Sequence, residues 1–192
     1  GDTHYNDRTQ IPPYELDIYI PSLKYAIEFH GLYWHSYNSL EEENKNRHAD
    51  KLNMCTKNGM KLIQIFENEW NNKKDIIKSI IQSKLGQSNR IYARKCYINE
   101  IDSQQHQQFM NKNHIQGNKA CSVSYGLTHN NELMAVMSFN KHPKYEWEIT
   151  RFANKLGITV VGGASKLFKK FIKDHSPSQI LTYADRRYSD GN

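Results

Sequence analysis

The sequence predicts an α/β protein built in two parts, and three observations carry that prediction. Short apolar runs bounded by turn residues alternate with amphipathic stretches of helical period along the 192 residues. Gly86-Gln87-Ser88-Asn89 is the best linker signal, separating residues 1–85 from residues 90–192. The two parts also differ in charge. Residues 1–85 hold 11 Lys and Arg against 12 Asp and Glu, whereas residues 86–192 hold 15 against 8. A basic half beside a carboxylate-bearing half suits an enzyme that acts on a polyanion. The basic part attracts phosphates and the acidic part holds metal ions. The plainer alternative is a high-pI surface with no such partner.

The first part opens in strands. Glu15-Leu16-Asp17-Ile18-Tyr19-Ile20 alternates, with Leu16, Ile18 and Ile20 on one face. Pro12-Pro13 precedes this strand and Pro21 stops it. Leu23 to Phe29 is a second apolar run, ended by Gly31, and Pro21-Ser22 joins the two as a hairpin. Residues 38–58 are polar, with Leu52, Cys55 and Ala49 at helical spacing and an Asn58-Gly59 C-cap. Met60 to Phe66 reads as a buried strand, and Ile76, Ile77, Ile80, Ile81 and Leu85 mark an amphipathic helix.

The second part begins with a strand near Ile91 to Tyr97. Asp102 or Ser103 caps a helix running to about Asn113. Ser122 to Leu127 and Glu132 to Phe139 form a hairpin around His129-Asn130-Asn131. Trp147 to Phe152 is a further strand. Gly162-Gly163 opens a helix with Leu167, Phe168, Phe171 and Ile172 inward and Lys166, Lys169, Lys170 and Lys173 outward. Ile180 to Ala184 is a last strand. The sequence stops at Ser189-Asp190-Gly191-Asn192 in mid-pattern, so the natural protein is expected to continue.

Composition removes several classes. With 38% hydrophobic and 24% charged residues the chain buries a core rather than staying disordered. No stretch approaches the ~20 apolar residues of a membrane span, so no membrane partner is expected. Cys55, Cys96 and Cys121 lie far apart, with no CxxC pair and no even disulfide framework. That pattern favours a reducing cytoplasm and argues against a structural zinc site.

The sharpest chemical signal is Asp17, ten residues, Glu28, one residue, His30. Two carboxylates on adjacent strands of a hairpin can converge on one divalent cation. Mg²⁺, or Mn²⁺ in its place, prefers carboxylate oxygens and retained waters. Held there, such an ion can activate water and neutralise charge on a scissile phosphate. This is the spacing logic of the PD-(D/E)xK nuclease core, with His30 where that pattern usually has Lys. The alternative is a pair of ordinary strand-surface carboxylates.

The stretch Ile27-Glu28-Phe29-His30-Gly31-Leu32-Tyr33-Trp34-His35 resembles the central motif of very-short-patch-repair endonucleases. It is closer still to the related EDxHD homing endonucleases carried by phages. The resemblance continues through His48-Ala49-Asp50-Lys51-Leu52 and Leu62-Ile63-Gln64-Ile65-Phe66-Glu67-Asn68-Glu69-Trp70, covering roughly residues 11–80. It implies a Vsr-like nuclease core in residues 1–85 and cleavage of double-stranded DNA in a phage-infected bacterial host. Asp17 would be the main metal ligand. The backbone carbonyl of Phe29 or the side chain of Glu28 would supply a second oxygen. His35 would be the general base, a role its ordinary pKa suits. The family's acidic residue supporting that histidine falls on His48, with Asp50 two residues later, so either fills the role. The family also carries a glutamate upstream of the motif strand, for which Glu15 is a poor substitute. Glu67 and Glu69 read as a solvated strand end. His30 is either a third metal ligand or a satisfied buried histidine. Tyr33 and Trp34 are either framing residues or aromatics inserted into DNA beside the cleavage site.

In the second part, Thr159-Val160-Val161-Gly162-Gly163-Ala164 followed by a helix resembles motif A of GNAT acetyltransferases, with Thr159 where that family has Arg or Gln. There the loop binds the coenzyme A pyrophosphate. The same tail, through Tyr183-Ala184-Asp185-Arg186-Arg187, also resembles the tails of phage homing endonucleases. The resemblance implies a GNAT-like, basic DNA-binding module, with Lys166, Lys169, Lys170, Lys173, Arg186 and Arg187 on phosphates. His114 and His142 read as surface residues. The rival readings are a GNAT-like acyl- or nucleotide-modifying enzyme and a catalytically inactive DNA-binding protein on a nuclease scaffold.

Overall fold

A computed structural model describes residues 2–31 and 41–188, and for residues 41–46 only the course of the helix. The described residues form a mixed α/β structure with four α-helices and three sheets. The chain divides into two compact units, Gly1–Lys73 with Ala184–Asn192, and Lys74–Tyr183. The division therefore falls at Lys73 and not at Gly86-Gln87-Ser88-Asn89. The helical run is kinked at the same place, where Lys73 has φ −135° and ψ 32°. Beyond it, the helix belongs to the second unit, where Ser79 Oγ accepts the Gly157 N–H at 2.9 Å.

The first unit contains β1 (His4–Ile11), β2 (Tyr14–Ile20), β3 (Tyr25–His30), α1 (Glu41–Lys57), β4 (Lys61–Phe66) and the start of α2 (Glu67–Lys84). Its sheet runs in the order β1-β2-β3-β4. The first three strands are antiparallel, and β4 pairs parallel with β3, setting Glu28 beside Gln64 and His30 beside Phe66. A parallel pair needs a crossover, and α1 supplies it. The core gathers Ile11, Leu16, Tyr19, Ala26, Cys55, Met60 and Leu62, with Leu52 against it. On β2, Leu16 and Tyr19 are buried while Ile18 and Ile20 are only partly covered, so the expected single apolar face is incomplete.

The expected α1 C-cap forms. Gly59 takes φ +70° and the Met60 N–H donates to Cys55 O at 2.8 Å. Two features differ from the sequence reading. Strand β1 is not visible in the pattern, because most of its residues are exposed and polar. Glu67 and Glu69 form the first turn of α2 instead of a strand end. Acidic groups at that point favour helix, since they meet its positive end.

The second unit contains the remainder of α2, then β5 (Asn89–Tyr92), β6 (Tyr97–Glu100), α3 (Ser103–Asn113), β7 (Val123–His129) and β8 (Glu132–His142). It ends with β9 (Glu146–Asn154), β10 (Ile158–Val161), α4 (Gly163–His175) and β11 (Ile180–Thr182). A five-stranded sheet runs β11-β9-β8-β7-β6, antiparallel except for the β9–β11 pair, and β5 pairs parallel with β10. The expected strand over 91–97 is thus two strands in two sheets, parted by a 3₁₀ turn at Ala93–Lys95. Asp102 caps α3 by accepting the Gln105 N–H at 2.7 Å. Asn130 and Asn131 both take positive φ in the β7–β8 turn. Leu167 and Phe171 of α4 are fully buried, and the Phe171 ring stacks on Phe139 at 3.7 Å. Ile172 is exposed, contrary to its expected inward place. No helix among the described residues is long and apolar enough to cross a membrane.

Candidate active site

The β2–β3 ladder is hydrogen-bonded up to Ile18–Ile27, and the next two residues are Asp17 and Glu28. Here the side chains replace the ladder. The Phe29 N–H donates to Asp17 Oδ2 at 2.8 Å, and the Asp17 N–H donates to Glu28 Oε1 at 3.3 Å. Each carboxylate caps the other strand's free backbone donor. The hairpin thus brings the two residues together, as the spacing predicts.

Their surroundings differ. Glu28 is 2% exposed, whereas Asp17 is only half-buried and Phe29 is exposed. Glu28 faces α1 and meets Lys51, whose Nζ lies 2.6 Å from Glu28 Oε2 and 2.7 Å from Glu15 O. Burial pushes the Glu28 carboxyl up; the Lys51 hydrogen bond opposes that rise and the Asp17 charge adds to it. The same burial, with Glu28 contributing, pushes the Cys55 thiol up to about 11. Sequence reasoning missed Lys51. The available signal was its place four residues before Cys55, on the buried face of α1.

His30 lies two residues beyond Glu28, on the same face of β3. Its ring centroid is 4.0 Å from that of His48 on α1 and 5.2 Å from that of Phe66. Gln64, itself buried, donates from Nε2 to His48 O at 3.1 Å. His30 and His48 are therefore neighbours. Asp50 is exposed on α1. His35, Tyr33 and Trp34 lie outside the described residues.

Beside this cluster, the tail of the chain rejoins the first unit. The Arg187 guanidinium sits 5.1 Å over the Phe66 ring, and its Nη1 donates to both Glu69 oxygens at 2.9 and 3.0 Å. Its Nη2 donates to Asp185 Oδ2 at 2.7 Å, and the Tyr188 hydroxyl donates to Glu69 at 3.1 Å. Burial opposes the Arg187 charge, but the Asp185 and Glu69 contacts overcome it and raise its pKa. Arg187 is thus committed to two carboxylates. Arg186 is exposed and donates to Asn53 at 3.1 Å.

In the second unit, the α4 lysines separate into two kinds. Lys166 Nζ donates inward to Ala93 O and Cys96 O at 2.9 and 2.6 Å, and Lys170 pairs with Asp174 at 2.9 Å. Lys169 and Lys173 are exposed. A cavity of about 450 Å³ lies at the start of α4, lined in part by Tyr92, Arg94, Gly162, Ser165 and Lys169. His114 is partly buried and not a surface residue; its Nδ1 accepts the Gln116 N–H at 3.1 Å.

A divalent ion of the Mg²⁺ type needs one or two carboxylates and keeps several waters. Asp17 with its neighbouring oxygens fits that donor chemistry. Among the described residues no group of three His, Cys, Asp or Glu gathers as a metal centre. Scans against protein-family models, curated proteins and solved structures return no match to this chain.

Proposed function

We propose that this chain is a metal-dependent DNA endonuclease, with a Vsr-like core in its first unit and a GNAT-like, DNA-holding second unit, of the phage homing type. The observation that carries this reading is the crossed exchange between Asp17 and Glu28 on adjacent strands. It sits in a β1-β2-β3-β4 sheet whose parallel β3–β4 pair is joined by a crossover helix. The second frame draws support from the β6-to-β9 meander with β11 parallel to β9 across α4.

In this reading Asp17 supplies the main ligand oxygen, and Glu28 or the Phe29 carbonyl supplies the second. Mg²⁺ or Mn²⁺ bound there would offset the negative charge that builds on the scissile phosphate. His35 takes the proton of the attacking water, whose oxygen forms the new bond to phosphorus as one ester P–O bond breaks. His48 or Asp50 orients that imidazole, and the His30 ring lies 4.0 Å from that of His48. Exposed lysines such as Lys169 and Lys173, together with Arg186, hold the duplex by its phosphates, and Tyr33 and Trp34 frame the bases next to the cut.

Supercoiled plasmid incubated with Mg²⁺ or Mn²⁺ tests the assignment. Wild type is expected to nick or linearise it, and Asp17→Ala and His35→Ala are expected to lose the activity by at least ~100-fold. Equal cutting by all three proteins sinks the site. DNA binding without cutting in wild type favours the inactive scaffold instead.

A second reading has its own observation, the cavity at Gly162 with Arg94 and Lys169 on its wall. A start of helix flanked by cations suits the pyrophosphate of coenzyme A. Saturable heat on titration with coenzyme A favours that reading.

A further inference from the structure

The Glu28–Lys51 contact bears on which oxygens remain for a metal ion. Both Glu28 oxygens are engaged, Oε1 by the Asp17 N–H and Oε2 by the Lys51 ammonium. Lys51 is 7% exposed and is fixed a second time by Glu15 O. A divalent cation approaching Glu28 would have to displace a buried ammonium or share one carboxylate with it, and like charges at such separations repel strongly where water is scarce. Asp17 is different. It is half-buried and accepts one backbone N–H through Oδ2.

We propose that Lys51 is a positioning residue that acts as the resident counter-ion of Glu28. This rests on the metal-dependent reading above and deepens it. By holding Glu28, Lys51 removes that carboxylate from the ligand set and leaves the ion to Asp17 and a backbone carbonyl oxygen.

Calorimetric titration of the whole chain with MnCl₂, without DNA, tests this. Wild type is expected to bind Mn²⁺. Lys51→Met frees Glu28 and is expected to bind Mn²⁺ about tenfold more tightly. The double variant Glu28→Gln with Lys51→Met, a neutral pair, is expected to stay within about threefold of wild type. Unchanged or weaker binding by Lys51→Met overturns the proposal, and so does a loss of about tenfold or more in the double variant, which would make Glu28 a ligand. If the single variant does not fold, the double variant decides alone. Asp17→Asn separates the two levels of the argument. Wild-type affinity in that variant overturns the Asp17 metal site itself, as does absence of any binding by wild type and Lys51→Met together.

Discussion

Lys51 Nζ lies 2.6 Å from Glu28 Oε2, and both side chains are almost wholly withdrawn from water. A buried ion pair is not an efficient way to stabilise a fold, because desolvation offsets most of the attraction. Removing one partner is far worse, since it strands the other charge. Lys51→Met is therefore expected to lower unfolding free energy by about 3–5 kcal/mol. The Glu28→Gln, Lys51→Met double variant is expected to recover most of that loss. Urea unfolding of the three proteins measures both effects. A single variant as stable as wild type would mean that the ammonium is not buried against the carboxylate.

For the DNA-holding role proposed above, the α4 lysines predict a division of labour. Lys169 and Lys173 are exposed, while Lys166 braces the carbonyls of Ala93 and Cys96. Each phosphate-neutralising lysine contributes about 0.9 to the slope of log affinity against log salt. Replacing Lys169 and Lys173 together by Ala is expected to reduce that slope by roughly 2. Lys166→Met is expected to leave the slope alone and to lower the unfolding midpoint. Binding of a labelled duplex across a salt series measures the first, and thermal unfolding the second. A slope unmoved by the double alanine variant removes α4 from the DNA-facing surface.

The sequence made the β2–β3 hairpin legible because Pro21, Gly31 and the apolar alternation are local signals. The same locality placed Asp17 opposite Glu28. What stayed hidden is non-local. Strand β1 is polar, and it is a strand only because it pairs with β2. Lys51 reads as one more charge on a charged helix until α1 is packed against β3. Arg187 reads as a free cation until Glu69, 118 positions earlier in sequence, is folded beneath it. Three apparent phosphate ligands, Lys166, Lys170 and Arg187, are in fact committed to protein oxygens, a fact that charge counting does not reveal. Lys73 breaks α2 without any Gly or Pro to announce it.

The last prediction concerns acid. The His114 imidazole is pushed down to about 4 by burial, with the Arg151 charge adding to the shift. His106, 2% exposed, is lowered in the same direction by burial. In the unfolded chain both titrate near ~6.5. Between those values the unfolded state holds more protons, so acid favours unfolding. The stability contributed by the neutral His114 imidazole is complete above about pH 6.5 and is lost as pH falls toward about 4. Protonating Nδ1 of His114 also removes the acceptor of the Gln116 N–H. Asp7, Asp174 and Asp185 have lowered pKa values, so their losses come at lower pH and do not fill this window. Urea midpoints measured from about pH 7 to about pH 4.5 are expected to fall in wild type and to fall less steeply in His114→Gln. Parallel curves for the two proteins would show that His114 carries no proton linkage.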